Sequence, residues 1–357
     1  MNLFPVSKES IENGAKILKD GGLVAFPTET VYGLGADAFN PRALAKIFDV
    51  KKRPFFDPLI IHISSIDTLE KIADISLLNN DAKDKLFILA ENFWPGPLSI
   101  VLPKNKNIPD IATAGLQTAA VRFPDNETAC KLISLSTGAV AAPSANPFGS
   151  LSPTKAEHVK SSMGNKVDLI LDGGPARVGI ESTVIDITGK QIKILRPGGT
   201  PKEAIEKLTG KIEINNECES ADFESETINK NSGAYSSPGQ LRNHYAPDKP
   251  LYIFDRGEII NKPYEKNSVF IFYDGATKDI WFNNIKIKNQ SADLNELTQI
   301  KNYKILSESG DSLEAASRFF EVLHEVNKSG AGKIFAQLAP QRGLGEAIND
   351  RLRRAAI

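Results

Sequence analysis

The sequence predicts an α/β protein in two domains, and three observations carry that expectation. The chain has 357 residues, more than one hydrophobic core ordinarily organises, since cores stop growing at about 250–300 residues. Short apolar runs bounded by Gly and Pro alternate with helical patterns in both halves. Between the halves the composition changes: NNECESADFESETINKNSG is acidic, polar and poor in apolar residues, as a linker is. The expected division is residues 1–210, a linker over 211–249, and a smaller α/β domain over 250–357.

In the first domain, Gly22 to Pro27 (GLVAFP) is an apolar run between Gly and Pro and suits a buried strand. The segment PTETVYGLG, Pro27–Gly35, then reads as a turn. Pro41 to Val50 is a helical pattern with Asn40 as N-cap and Pro41 in the first turn. Leu59–Ile63, Leu98–Leu102, Ala119–Arg122 and Ala139–Pro143 read as further strands, and Val167–Leu171 runs into the turn Asp172-Gly173-Gly174. In the last domain LYIFD, SVFIFY, YKIL and KIFAQLA read as strands. Ser312 to Val326 reads as an amphipathic helix with Leu313, Ala316, Phe320, Leu323 and Val326 on its apolar face, capped by Asp311 or Ser312. A final helix begins near Leu344. Strands alternating with helices predict a small, mostly parallel sheet.

Composition narrows the function classes. Hydrophobic residues make up 41% and charged residues 24%, as in ordinary globular proteins. The formal net charge is -1, so no global field draws the protein to nucleic acid or to an anionic membrane. The two cysteines, Cys130 and Cys218, form no CxxC pair and predict no zinc site. No apolar run approaches the ~20 residues of a membrane span. MNLFPVSKES lacks a basic region followed by an apolar core, so a cytoplasmic protein is expected.

Six short segments carry candidate chemistry, and each alone also has an ordinary structural meaning. Lys51-Lys52-Arg53-Pro54 follows the first predicted helix; most basic clusters are solvated, yet an extended segment aims Lys51 and Arg53 to one side, where they suit phosphate or carboxylate. Pro143-Ser144-Ala145-Asn146-Pro147 places a hydroxyl and an amide at a strand end, where ligands of α/β sheets sit, although Ser and Asn also simply make turns. Arg122 ends AAVRFP and Arg196 lies in ILRPG. GIESTV, Gly179–Val184, and PTETVYGLG complete the set. Weighed together, Lys51, Arg53, Arg122 and Arg196, with hydroxyls from Thr30, Ser144 and Ser182, describe a site rich in cations and poor in acids. Such a site suits polyanions: nucleotide phosphates and a carboxylated substrate.

The KxR of Lys51–Arg53, the SxN of Ser144–Asn146 and FPTETVYGLG at Phe26–Gly35 together resemble the threonylcarbamoyl-AMP synthase family, the YrdC-domain proteins. SPGQLRNHYAP at Ser237–Pro247 and GLGEAINDRLRRAA at Gly343–Ala356 are similar to the tail of its long two-domain form. The resemblance spans essentially the whole chain. It implies a twisted, open-sheet YrdC-like α/β domain with a large, positively charged cavity, followed by a smaller Rossmann-like α/β domain. It implies threonine contacts at Thr30, His62, Arg122, the Ala142 backbone and Ser182. For ATP it implies Lys51, Arg53, Thr118, Ser144, Asn146, Ser152 and Arg196, with Lys51, Arg53, Ser144 and Asn146 closest to the chemistry. The linker around Ser237, Arg242, His244 and Tyr245 is expected to act as a lid. Where the family usually reads Asn-Pro-Leu, this chain has Asp57-Pro58-Leu59. An aspartate there would repel the triphosphate unless Mg²⁺ stood between, and Asp57 is carried as a nucleotide contact on that condition.

The activity so implied is condensation of L-threonine, bicarbonate and ATP to threonylcarbamoyl-AMP, with Mg²⁺ accompanying ATP. A downstream transferase complex would pass the group to tRNA, with no membrane and no stable nucleic-acid complex involved. Two other readings compete. One is an RNA-binding module using the same basic cavity without catalysis, which near-neutral net charge and the lack of an aromatic-basic platform disfavour. The other is carbamoyl transfer on a hydrogenase-maturation scaffold, whose zinc-finger and acylphosphatase segments have no counterpart in this sequence.

Overall fold

The computed structural model describes residues 2–214, 245–261, 267–288 and 302–357. The chain divides into two compact units, Met1–Phe148 with Ser152–Gln240, and Gly149–Leu151 with Leu241–Ile357. In the first unit the described strands are β1 (Leu3–Pro5), β2 (Val24–Phe26), β3 (Gly33–Asp37), β4 (Ile60–Ile63), β5 (Leu98–Pro103), β6 (Thr118–Arg122), β7 (Ala139–Ala141), β8 (Leu169–Asp172), β9 (Thr183–Asp186), β10 (Lys193–Arg196) and β11 (Glu213–Ile214). They form one mixed sheet in the order β1-β8-β2-β3-β7-β4-β6-β5-β9-β10-β11.

The expected strands and the helix at Pro41 are present; that helix runs Pro41–Lys51, with the Asn40 side chain accepting from the Arg42 and Ala43 amides. The segment read as a turn after β2 differs. Its second half is β3, antiparallel to β2 with Ala25 opposite Leu34. Glycines at 33 and 35 hid it, because glycine is depleted in strands. Here glycine is required for close packing: a Cβ at Gly35 would lie 2.8 Å from both the Phe26 ring and the Val140 side chain.

The central strands obey the two-residue period of a sheet. Ile61, Ile63, Leu98, Ile100, Leu102, Ala119, Val121 and Ile185 enter the large hydrophobic core on one face. The residues between them lie on the other face. Register sets them in a lateral row: Val140 opposite His62, His62 opposite Arg122, Arg122 opposite Ser99, and Ser99 opposite Val184. Val184 is in turn opposite Arg196 across an irregularity in β10. Directly opposed residues share a face. A small apolar cluster of Ile60, Val101, Ala120, Val184 and Leu195 lies on this second face. One face is thus ordinary core, and the other carries a polar row on an apolar floor.

The second unit holds β12 (Leu251–Phe254), β13 (Ser268–Asp274), β14 (Tyr303–Ser307) and β15 (Lys333–Gln337) in the order β12-β15-β13-β14. All three pairings are parallel. The buried cluster includes Phe254, Phe270, Phe272 and Trp281, with the Phe270 and Trp281 ring centroids 4.5 Å apart. The helix Ser312–Lys328 is capped by Asp311, whose side chain accepts from the Glu314 amide. Its buried face is Ala315, Ala316, Phe319, Phe320, Val322, Leu323 and Val326. Leu313, expected on that face, is 64% exposed; at the second helical position it precedes the first buried turn. No helix among the described residues is long and apolar enough to cross a membrane.

Candidate active site

Four cations decide where the site is. Lys51, Arg53, Arg122 and Arg196 are 1%, 6%, 3% and 4% exposed. Lys and Arg are almost never so buried unless paired, and each has partners within the first unit.

Lys51 ends its helix, and its ammonium donates to the carbonyls of Ser144 (2.6 Å) and Asn146. It therefore pins the loop carrying the SxN motif. Burial, and then the nearby Arg53 guanidinium, hold the Lys51 pKa well below the usual lysine range. The same loop is braced from the other side, where the Ala145 amide donates to Tyr32 O (2.8 Å) and Leu34 N to Pro143 O (2.8 Å). Lys52 turns the chain out of the helix at φ 55°, which separates buried Lys51 and Arg53 from exposed Lys52.

The Arg53 Nε donates to Asp57 O (3.0 Å) and Nη2 to Pro58 O (2.8 Å), while Nη2 also lies 2.9 Å from the Asp57 carboxylate. The Phe148 ring sits under the guanidinium at 6.0 Å. Asp57 thus meets a cation of its own protein, which offsets the repulsion that a bare aspartate would exert on phosphates.

Arg122 lies in the lateral row beside His62 and Ser99. Its Nη2 is 2.7 Å from Oε1 of Glu29, and its Nε donates to Gly96 O (3.3 Å). His62 packs edge-on to Phe26 and places Nδ1 3.3 Å from Ile60 O. Burial first, then Arg122, lowers the His62 pKa to about 3, so the imidazole is neutral near pH 7 and serves as a hydrogen-bonding group rather than a cation. Thr30 is buried with its hydroxyl 2.8 Å from that of Thr28.

At the far end of the row, Ser99 and Ser182 hydroxyls are 2.8 Å apart. Arg196 Nη2 donates to Ser182 O (2.9 Å) and to its hydroxyl (3.1 Å). Ser152 is buried and donates to the Glu181 carboxylate. Ala142 N donates to Ile60 O (2.9 Å), which fixes the strand end beside His62. Thr118 shares Arg122's face but lies four residues earlier on β6, about 13 Å away at the usual strand rise. Among the described residues no group of three or more His, Cys, Asp or Glu is placed to hold a metal.

Glu29, Glu181 and Ser99 had no role of their own in the sequence reading. The site is not poor in acids: Glu29, Asp57 and Glu181 are all buried beside its cations and hydroxyls. Glu29 and Arg122 lie 93 positions apart, so no local pattern announces their pairing. Ser99 did leave a signal, since LSIVLP puts Ser99 and Val101 on one face and Leu98, Ile100 and Leu102 on the other. Of the linker residues, Ser237, Arg242 and His244 lie outside the described residues. Tyr245 is described: it is buried in the second unit at φ 65°, with the Arg351 guanidinium 5.2 Å and the Phe320 ring 5.9 Å from its ring centroid.

Gly198 holds the Arg196 turn against Ser182. A Cβ there would stand 2.3 Å from Ser182 C and 2.4 Å from Thr183 N. Gly198→Ala must push this backbone apart, at a cost of about 1–3 kcal/mol by the usual scale of overpacking. Chemical denaturation should show that loss, and ligand affinity at Ser182 should fall with it. A variant with unchanged stability and affinity would show that the turn yields without strain.

Residues 16–198 match the family described as telomere recombination (Sua5, YciO and YrdC), and residues 200–357 match the threonylcarbamoyl-AMP synthase C-terminal domain. The chain is 38% identical to the threonylcarbamoyl-AMP synthase of Pyrococcus abyssi, over 98% of this chain and 95% of that one. It is 35% identical to the enzyme of the same name from Bacillus subtilis, over 97% and 92%. Among solved structures it is similar to that of P. abyssi Sua5 complexed with L-threonine, with a TM-score of 0.81, 36% identity, and coverage of 100% of this chain and 98% of that one.

Proposed function

This chain belongs to the threonylcarbamoyl-AMP synthase family, and we propose that it condenses L-threonine, bicarbonate and ATP to threonylcarbamoyl-AMP and pyrophosphate. The observation that carries this reading is the set of four buried cations, each anchored within one domain: Arg122 and Arg196 end strands of one sheet, Lys51 ends the Pro41 helix and Arg53 follows it. Both reactants are anions. A threonine carbamate must approach the α-phosphorus of ATP, and their repulsion is the first barrier. Fixed guanidinium and ammonium groups in a site of low dielectric lower it without reorganising during the reaction.

Arg122, with neutral His62 and Ser99 in the same row, is the receptor for the amino-acid end. Ser182, held by Arg196, lies at the other end of that row on the amino-acid side, and Arg196 with the loop pinned by Lys51 supplies donors for the nucleotide and the transferring group. Mg²⁺ enters as part of the ATP substrate, on its phosphate oxygens. The product is a mixed anhydride destined for a transferase that acts on tRNA, and the enzyme works in the cytoplasm. Cations buried to this degree cannot lie along a phosphodiester backbone, which disfavours the RNA-binding reading.

The test is pyrophosphate release from ATP by the full chain. Release is expected when both L-threonine and bicarbonate are present, and omission of either should lower it at least about tenfold, a difference of about 1.4 kcal/mol in barrier. Release that ignores threonine would sink this function.

A further inference from the structure

The Glu29–Arg122 contact is an unusual ion pair. Glu29 is 3% exposed and its Oε1 lies 2.7 Å from Arg122 Nη2. Yet among the described residues neither Glu29 oxygen makes a hydrogen bond, and neither does Arg122 Nη2. Buried Arg–carboxylate pairs that serve stability lie in a fork, with their remaining lone pairs satisfied. Here two opposite charges are close but misaligned, and both keep unused hydrogen-bonding capacity. The backbone fixes this arrangement: Val178 N donates to Glu29 O (2.6 Å), and the Thr28 hydroxyl donates to Val31 O (2.6 Å). Arg122 is set by its register between His62 and Ser99.

A cation and an anion side by side, each under-coordinated, are the complement of a zwitterion. An α-amino acid carries carboxylate and ammonium on a single carbon, so its receptor must offer opposite charges a few ångströms apart. We propose that Glu29 receives the substrate ammonium while Arg122 receives its carboxylate, and that Glu29 then takes the ammonium proton. This rests on the proposed function and assigns the base that the reaction needs, because an ammonium has no lone pair with which to attack.

The step balances. The Glu29 carboxylate takes one proton from the ammonium, giving the neutral amine and the Glu29 carboxylic acid. The amine lone pair forms the N–C bond to bicarbonate. The C–OH bond breaks, and its oxygen leaves as water with a second proton from nitrogen. Threonine carbamate, water and protonated Glu29 remain. In water this proton transfer runs uphill, from an amine to a carboxylate. In a buried site it replaces two charges by two neutral groups, which desolvation favours.

The experiment measures binding of L-threonine, and of the analogue bearing a hydroxyl in place of the ammonium, to wild type and Glu29→Gln by calorimetry. Wild type should prefer threonine strongly. Glu29→Gln should lose about tenfold or more toward threonine while its affinity for the hydroxy acid stays within about threefold. If both ligands weaken together, Glu29 merely positions Arg122 and the assignment is overturned. Turnover supplies a second readout: the Glu29→Gln rate should climb about tenfold per pH unit from pH 7 toward the amine pKa, as free amine replaces ammonium. A defect independent of pH would refute the proton transfer. A wild type that does not bind threonine overturns the functional reading itself; one that binds threonine and its hydroxy analogue alike overturns the Glu29 assignment alone.

Discussion

Lys51→Met will abolish turnover and leave the fold nearly as stable as before. Two opposing effects act on stability. Removing the ammonium strands the carbonyls of Ser144 and Asn146, at about 1–3 kcal/mol for each buried polar group left unmade. It also removes a buried lysine whose charge is held off by burial and by Arg53, and relief of that desolvation offsets much of the loss. The net change should stay within about 2 kcal/mol. Nothing offsets the loss of function. The SxN loop is no longer tied to the helix end, and one of the four fixed cations is gone. Arrival of a triphosphate opposes that depression, because an adjacent anion favours the charged lysine. Loss of one such donor typically costs 10²–10³ in rate. Thermal unfolding and threonine-dependent pyrophosphate release measure the two quantities. Turnover above about a tenth of wild type would remove Lys51 from the machinery.

The contrast between Lys51 and Glu29 shows what a sequence can carry. The strands and the Pro41 helix were legible because apolar periodicity, Asn40 and Pro41 are local signals. The four cations were legible because each closes a recognisable element or short motif. Glu29 was within view in PTETVYGLG but had no visible role, since its partner is a register position on a strand 93 residues on. Ser99 was hidden for the opposite reason: it lies inside a strand that reads as plain core until the alternation of LSIVLP is taken seriously. Strand β3 was missed because its glycines serve packing against Phe26 and Val140 rather than turning. For Glu29 the missing information is which strand lies beside which, and no local pattern encodes the order β7-β4-β6-β5-β9.

Arg53→Ala will be the more damaging single change, and its partner shows why it must be tested as a pair. Arg53 and Asp57 are 4% and 2% exposed at the side chain and 2.9 Å apart. Removing one member of a buried ion pair takes from the other its nearest opposite charge, at up to about 3–5 kcal/mol. A drop in activity after Arg53→Ala alone would therefore say little, because the loop from Lys52 to Pro58 rearranges or Asp57 takes up a proton. Arg53→Ala with Asp57→Asn separates the roles. Neutralising Asp57 removes the stranded charge, so most of the lost stability should return, and the coupling between the two sites measures their interaction. Activity should not return, because the guanidinium that would face the phosphates is still missing. A double variant that is both stable and active would reduce Arg53 to a structural tie for Asp57 and leave Lys51, Arg122 and Arg196 to carry the chemistry. A double variant that is stable and dead, with Asp57→Asn alone largely active, would place the function of the pair in its arginine.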